Sequence, residues 1–183
     1  MDEKTQALIG KLNVELPENA FKIADTLGRI GTQEIVDAMI GLLKHPQEEN
    51  RIIAAITLGK IRENSSALQP LLEAIRDKEN SAIAGELMMA LEGFDVSDNY
   101  VDLFRLYLFG SYKVSVLAKE LLDFAEFDVT ARVLRKAEKH WHHYMHNAKQ
   151  DASFEVKKAE VEAMLQDIRD FIGDDESISH DSR

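Results

Sequence analysis

Two matching stretches decide the fold: TLGRI at Thr26–Ile30 and TLGKI at Thr57–Ile61. Each stretch places a glycine inside a segment that otherwise reads as a helix, at a cost of about 1 kcal/mol relative to alanine. A constant shift of 31 residues, without a gap, aligns residues 6–30 with residues 37–61 and gives eleven identities in 25 positions. Self-similarity at such a period is typical of stacked helical repeats.

The repeats predict a stack of about four helix pairs, each with an A helix followed by a B helix. The pairs are expected near residues 18–30 and 33–44, 50–61 and 65–77, 81–94 and 99–110, and 112–124 and 129–147. Half a unit, at residues 6–12, opens the stack, and an amphipathic helix at residues 153–173 is expected to cap its other end. The predicted fold class is therefore all-α.

Small residues on the A helices offer a reason for the repeated glycines. Ala24, Gly28, Ala55 and Gly59 would let neighbouring helices of the stack approach closely, which offsets the lost helix propensity. The alternative is that the two glycines are helix C-caps. Both interpretations keep the repeat.

The second unit carries a more specific signature. Its A helix has an Arg, Ala, Leu-Gly pattern and its B helix a proline-containing entry, at Arg51, Ala54, Leu58, Gly59 and Gln69–Leu72. In these residues the chain resembles HEAT-like repeats, in particular the short bacterial type named after phycobilisome lyases. The first unit has Ala20 in place of the arginine, and the third and fourth pairs lack both the arginine and the glycine. The resemblance implies a right-handed α-α superhelix with B helices lining a concave groove.

Composition limits the classes of function. The 183 residues have a net charge of -11 and no cysteine, which excludes disulfides, thiolate nucleophiles and cysteine-bound metals. No window approaches the roughly 18 apolar residues of a membrane span, so a cytoplasmic protein without membrane contact is expected. We expect one repeat domain over residues 1–172 and a disordered polar tail over residues 173–183, which has little to bury.

The most unusual segment, at residues 129–149, holds four of the six histidines and the only tryptophan. Its five basic residues and one acid give it +4, against 17 minus 32, or -15, for the rest of the chain. His142 and His146 have the spacing of a two-histidine metal site on a helix. No acid follows at ligand spacing, so neither a metal nor another cofactor is expected, and the histidines are interpreted as solvated or partner-facing.

The predicted helix at residues 99–110 is apolar over about two thirds of its circumference. Either this helix is buried on both sides in the stack, or Leu103, Leu106 and Tyr107 also line the groove as an apolar site for a partner helix or a flat ligand. The sequence leaves both interpretations open.

No catalytic constellation or glycine-rich phosphate loop is found, so an enzyme is not expected. The predicted function is protein–protein interaction, as a monomer or weak dimer, with an unidentified partner segment docked in the groove. The residues predicted to bind it are Asp37, Glu73, Arg76, Leu103, Tyr107, Arg132, Arg135, Lys139, His142 and His146. The resemblance implies an alternative, a bilin lyase-like chromophore-binding protein. Nucleic-acid binding is a third hypothesis, which a charge of -11 disfavours.

Overall fold

The computed structural model describes residues 2–180, with side chains described for residues 2–173. Within that part of the chain there are ten α-helices and no strand. The α-helices are α1 (Glu3–Leu12), α2 (Ala20–Ile30), α3 (Gln33–Leu42), α4 (Glu48–Gly59), α5 (Ser65–Arg76), α6 (Ala84–Met89), α7 (Tyr100–Phe109), α8 (Tyr112–Phe124), α9 (Ala131–Asn147) and α10 (Ala152–His180). Short 3₁₀ segments occur at Lys78–Asn80, Ala90–Gly93 and Ser97–Asn99.

The all-helical fold class is confirmed, and a helix lies in each predicted range, although the third A helix is reduced to Ala84–Met89 and a 3₁₀ segment. The count of about four helix pairs stays a prediction. The backbone forms two compact units, Met1–Asp95 and Val96–Arg183. The single repeat domain over residues 1–172 and the right-handed superhelix stay predictions.

The first unit contains the two close repeats, packed in rows. Helix α2 contacts α4, and α4 contacts the 3₁₀ segment Ala90–Gly93, so that the A helices lie side by side. In the second row α3 contacts α5. Seven of the large side chains with almost no exposure lie on these two rows: Leu27, Ile35, Met39, Ile53, Leu58, Leu71 and Leu72. This layering is what each helix needs in order to bury its apolar stripe against a neighbour.

Close backbone approach explains the repeated glycines. A Cβ added to the buried Gly28 would lie 2.5 Å from the Cβ of Lys60, and one added to Gly59 would lie 2.7 Å from the carbonyl oxygen of Ala90. The left-handed cap of α2 is instead Gly31, with a φ of 58°. The packing interpretation is therefore confirmed for both glycines.

A further glycine, Gly93, makes a backbone contact with Gly59, 34 residues before it. A Cβ here would lie 1.8 Å from the carbonyl oxygen of Gly59 and 2.8 Å from its Cα. At the 31-residue spacing the third unit has Ala90, so it lacks the repeated glycine as predicted, and Gly93 makes an additional backbone contact three residues later.

Two buried asparagines connect neighbouring elements of the first unit. The Nδ2 of Asn50 donates to the carbonyl oxygens of Leu12 and Val14, both at 2.8 Å. The Nδ2 of Asn64 donates to those of Leu58 and Gly93, both at 2.9 Å. The Leu58 carbonyl also accepts from the backbone N–H of Ile61 at 3.2 Å, whereas the carbonyls of Leu12, Val14 and Gly93 depend on the asparagines, which satisfy groups at the ends of neighbouring elements.

The second unit is built on the hairpin of α7 and α8. Helix α9 packs on α7, and α10 packs on α9. As predicted for a capping helix, α10 buries one apolar stripe, formed by Phe154, Val161, Leu165 and Ile168. The bounds of α10 extend to His180. The predicted disordered tail at residues 173–183 lies almost wholly outside the residues with described side chains, and it stays a prediction.

Candidate functional site

Helix α9 presents a positively charged surface in the second unit. Thr130 caps the helix by accepting a hydrogen bond from the backbone N–H of Val133 at 3.3 Å, and Ala137 and Trp141 are its buried residues. At 100° per residue, the basic residues and three histidines fall on an arc of about 120° on the opposite side. We call this exposed set the basic face: Arg132, Arg135, Lys136, Lys139, His142, His143 and His146.

The basic face keeps its charge because the acid of the same helix is paired elsewhere. Glu138 is the only acidic residue of α9, and it lies outside the arc. Its Oε1 accepts from Arg169 on α10, at 2.7 Å from Nη2 and 3.1 Å from Nε. The positive charge that the sequence predicts is therefore concentrated on one side of α9.

The two histidines at metal-site spacing contact each other. The rings of His142 and His146 are 4.2 Å apart, and the Nδ1 of His146 lies 2.7 Å from the carbonyl oxygen of His142. Within the described part of the chain, no three histidine, aspartate or glutamate side chains gather as a potential metal site. The pair therefore contributes to the basic face without a third ligand.

A cleft of about 500 Å³ opens between α8 and α10, and we call it the α8/α10 cleft. It is lined by the end of α7, by α8, by Tyr144 of α9 and by the first turns of α10. Lys157 lies in it with Nζ 4.5 Å from the centre of the Tyr107 ring. Nζ donates to the Tyr107 carbonyl at 2.8 Å and to Ser115 Oγ at 3.0 Å, while Ser115 Oγ donates to the same carbonyl at 2.7 Å. These bonds satisfy a carbonyl in the last turn of α7.

Burial and one carboxylate set the electrostatics of this cleft. Burial lowers the pKa of Lys157, and the nearby charge of Glu160 opposes that shift. Burial also raises the pKa of Tyr107 well above its usual range, and the hydrogen bond to Glu160 adds to the increase. The Tyr107 hydroxyl donates to Glu160 Oε2 at 2.5 Å. The phenol is thus held protonated and engaged at neutral pH.

Three apolar side chains on the rim of the α8/α10 cleft are open to solvent, beside the polar Lys119, Ser153 and Glu160. Tyr112 is 87% exposed, Val116 48% and Val156 62%. The exposed Phe109 connects this rim with the basic face, since its ring lies 6.0 Å from His143 and 5.6 Å from Tyr144. A charged surface and an apolar one therefore adjoin within the second unit.

The comparison with known families concerns the first unit. Residues 5–92 match HEAT repeats. No curated protein matches the chain. The match supports a HEAT-like repeat protein, and such repeats generally mediate protein–protein interaction as scaffolds without enzymatic activity. The finer resemblance, to the phycobilisome-lyase type, stays a prediction.

The HEAT-like match includes Arg51, the residue that carries the sequence signature. The Nη1 of Arg51 donates to the carbonyls of His45 at 2.7 Å and Pro46 at 3.1 Å. The side chain thereby holds the loop between α3 and α4, which gives the signature arginine a structural role in this chain.

Three of the predicted partner-binding residues lie in the HEAT-like first unit. Asp37 is exposed on α3 and accepts from Gln33 Nε2 at 2.8 Å. Glu73 is exposed on α5, where it lines a cleft of about 520 Å³, and Arg76 Nε donates to the carbonyl of Leu72 at 3.0 Å. The basic-face residues all belong to the second unit, and a groove common to both sets stays a proposal.

Of the two interpretations of α7, burial on both sides fits the structure, and the expectation that Leu103 binds a partner as an apolar surface is wrong. Its side chain is 0% exposed and Tyr107 only 3%, because α7 is covered by both α8 and α9. Tyr107 reaches the α8/α10 cleft only along its edge. The sequence analysis did not predict the cleft residues Ser115, Val116 and Lys157. Tyr112 and Val116 are four residues apart, however, and this spacing could have indicated an apolar patch on one face of α8.

Within the described residues, no helix is long and apolar enough to cross a bilayer.

Proposed function

We propose that this protein is a protein-binding module whose second unit docks an acidic segment of its partner on the basic face. The observation that carries the proposal is the arc of seven exposed basic and histidine side chains on α9, whose one acid is paired with Arg169. The chain has a net charge of -11, so this surface is a region of positive charge on a protein that is negative as a whole. The general role of HEAT repeats supports the same class of function.

The size of the basic face favours a short protein segment over nucleic acid. Helix α9 has 17 residues, so it is about 25 Å long. A nucleic acid would extend beyond it and meet a chain whose charge outside residues 129–149 is -15, which repels phosphates. An acidic peptide segment can remain within the basic face.

The HEAT-like first unit contributes a second surface to the proposed module. Asp37 and Glu73 are exposed on α3 and α5, the B helices that would line the concave side of a right-handed superhelix. We propose that they and Arg76 contact a further part of the partner. This part of the proposal is supported by the contact between α3 and α5, which places both helices in one row.

The test uses a fluorescein-labelled peptide of eight glutamates and the double variant Arg135→Ala/Lys139→Ala. Exposed charge pairs contribute up to about 1 kcal/mol each, so removing two cations is expected to weaken binding roughly tenfold. The wild-type affinity should fall as salt is raised from 50 to 300 mM. The melting temperature of the variant should stay within about 2 °C of wild type, because surface substitutions have small effects on stability.

The matched control is Lys11→Ala/Lys22→Ala, which removes the same charge from exposed positions of the first unit. It should leave the affinity for the glutamate peptide nearly unchanged. Equal weakening by both double variants would show attraction to the whole molecule and refute the proposed surface. A single-stranded oligonucleotide of eight phosphates that binds more tightly than the peptide would refute an acidic protein segment as the ligand.

A further inference from the structure

The α8/α10 cleft adjoins the basic face, and together they specify a partner. We infer that the acidic segment carries a bulky apolar side chain, leucine, phenylalanine or tryptophan, which enters the α8/α10 cleft while the acidic residues lie on the basic face. The inference rests on the proposed function and names the chemistry of its partner.

The apolar rim shows what kind of side chain the cleft accepts. Tyr112 and Val116 on α8 and Val156 on α10 are exposed to water, whereas the opposite faces of both helices are buried in the second unit. Scattered single apolar residues on a surface need no explanation, but these three line one concave cleft. Its volume of about 500 Å³ lies within the usual range for ligand pockets, which are mostly apolar.

The polar atoms on the floor of the cleft already have partners. Lys157 donates to Tyr107 and Ser115, Ser115 donates to Tyr107, and the Tyr107 hydroxyl donates to Glu160. A polar ligand would have to compete with these bonds, whereas an apolar side chain gains area from the rim without breaking them. The cleft therefore suits an apolar group.

Phe109 fixes the spacing between the two parts of the partner. Its ring contacts His143 of the basic face on one side and Tyr144 of the cleft on the other, at 6.0 and 5.6 Å. The ring centres of His143, on the basic face, and Tyr144, in the cleft, are thus at most about 12 Å apart, which about four extended residues can span. The apolar side chain is expected within about four residues of the acidic run.

The test compares two labelled peptides of equal charge and length: eight glutamates followed by Gly-Leu-Trp, and eight glutamates followed by Gly-Ser-Ser. Wild-type protein should bind the Leu-Trp peptide at least tenfold more tightly, since burial of one large apolar side chain is worth about that factor or more. Val116→Ser/Val156→Ser should abolish most of this preference and leave the affinity for the Ser-Ser peptide unchanged.

The matched control is Val14→Ser/Phe21→Ser, which removes two exposed apolar side chains from the first unit and should keep the preference. Equal affinity of wild type for the two peptides would overturn the inference while the basic face kept its role. Equal weakening of both peptides by Val116→Ser/Val156→Ser would also overturn it. If neither peptide binds wild-type protein, the proposed function itself fails.

Discussion

Substituting Gly93 by alanine tests whether backbone contact between successive A elements holds the first unit together. The added Cβ would lie 1.8 Å from the carbonyl oxygen of Gly59, 2.6 Å from its carbonyl carbon and 2.8 Å from its Cα. All three are backbone atoms of α4, so no side-chain rotation can relieve the overlap. The 3₁₀ segment Ala90–Gly93 or helix α4 must move, which also disturbs the hydrogen bond from Asn64 to the Gly93 carbonyl.

The expected cost follows from overpacking of a close contact. Overpacked cores typically lose about 1–3 kcal/mol, and a clash between two backbones belongs at the upper end. We therefore expect Gly93→Ala to lower the free energy of unfolding by about 3 kcal/mol. For a chain of this length, each kcal/mol corresponds to roughly 2–4 °C, so the melting temperature should fall by roughly 6–12 °C.

Gly41→Ala is the matched control. Gly41 lies in α3, and a Cβ built there would have no heavy atom within 4 Å. Its replacement should stabilise the protein by up to about 1 kcal/mol through helix propensity alone. Urea unfolding followed by circular dichroism measures both variants. If Gly93→Ala is as stable as Gly41→Ala, the close approach of the repeats does not contribute as argued.

Three further outcomes are expected. Asn64→Ala leaves the Gly93 carbonyl without its donor, while the Leu58 carbonyl keeps the backbone N–H of Ile61. The substitution should cost about 2 kcal/mol in urea unfolding, and an unchanged midpoint would contradict this. Leu103→Ala should cost about 2–5 kcal/mol, because the side chain is buried in the second unit; a partner-facing residue would leave thermal stability unchanged. Burial, assisted by the charges of Arg105 and Lys139, lowers the pKa of His140. The unfolded chain therefore takes up this proton first as the pH falls below neutrality, which destabilises the fold, and His140→Gln should flatten the decline in unfolding free energy between pH 7 and pH 5.

The fold was readable from the sequence because its repeats are local and regular. Eleven identities at one spacing locate the A and B helices of the first unit, and Gly28 and Gly59 stand at its close contacts. The additional contact at Gly93 could not be found in this way, because Gly93 does not stand at the 31-residue spacing of Gly28 and Gly59. It lies in a short 3₁₀ segment that forms the end of the third A helix.

The basic face and the α8/α10 cleft differ in how well the sequence alone could predict them. The basic face lies on one helix, so the 3.6-residue period alone places Arg135 and Lys139 on the same side. The α8/α10 cleft is assembled from distant parts of the chain, since Lys157 bonds to Ser115 and Tyr107 across 42 and 50 residues. Leu103 was open to two interpretations because a helix covered by its neighbours and a helix covered by a partner have the same apolar sequence pattern.

The positive charges on α9 destabilise the helix that carries them, and this favours a role in binding. Like charges three or four residues apart destabilise a helix by about 0.2–0.5 kcal/mol for each pair. Arg132, Arg135, Lys136 and Lys139 form four such pairs. Alternating acids at these positions would remove the repulsion, but the single acid of α9 lies off the face and pairs with Arg169. Folding therefore gains nothing from this arrangement, whereas an acidic partner would relieve the repulsion and bind more tightly because of it.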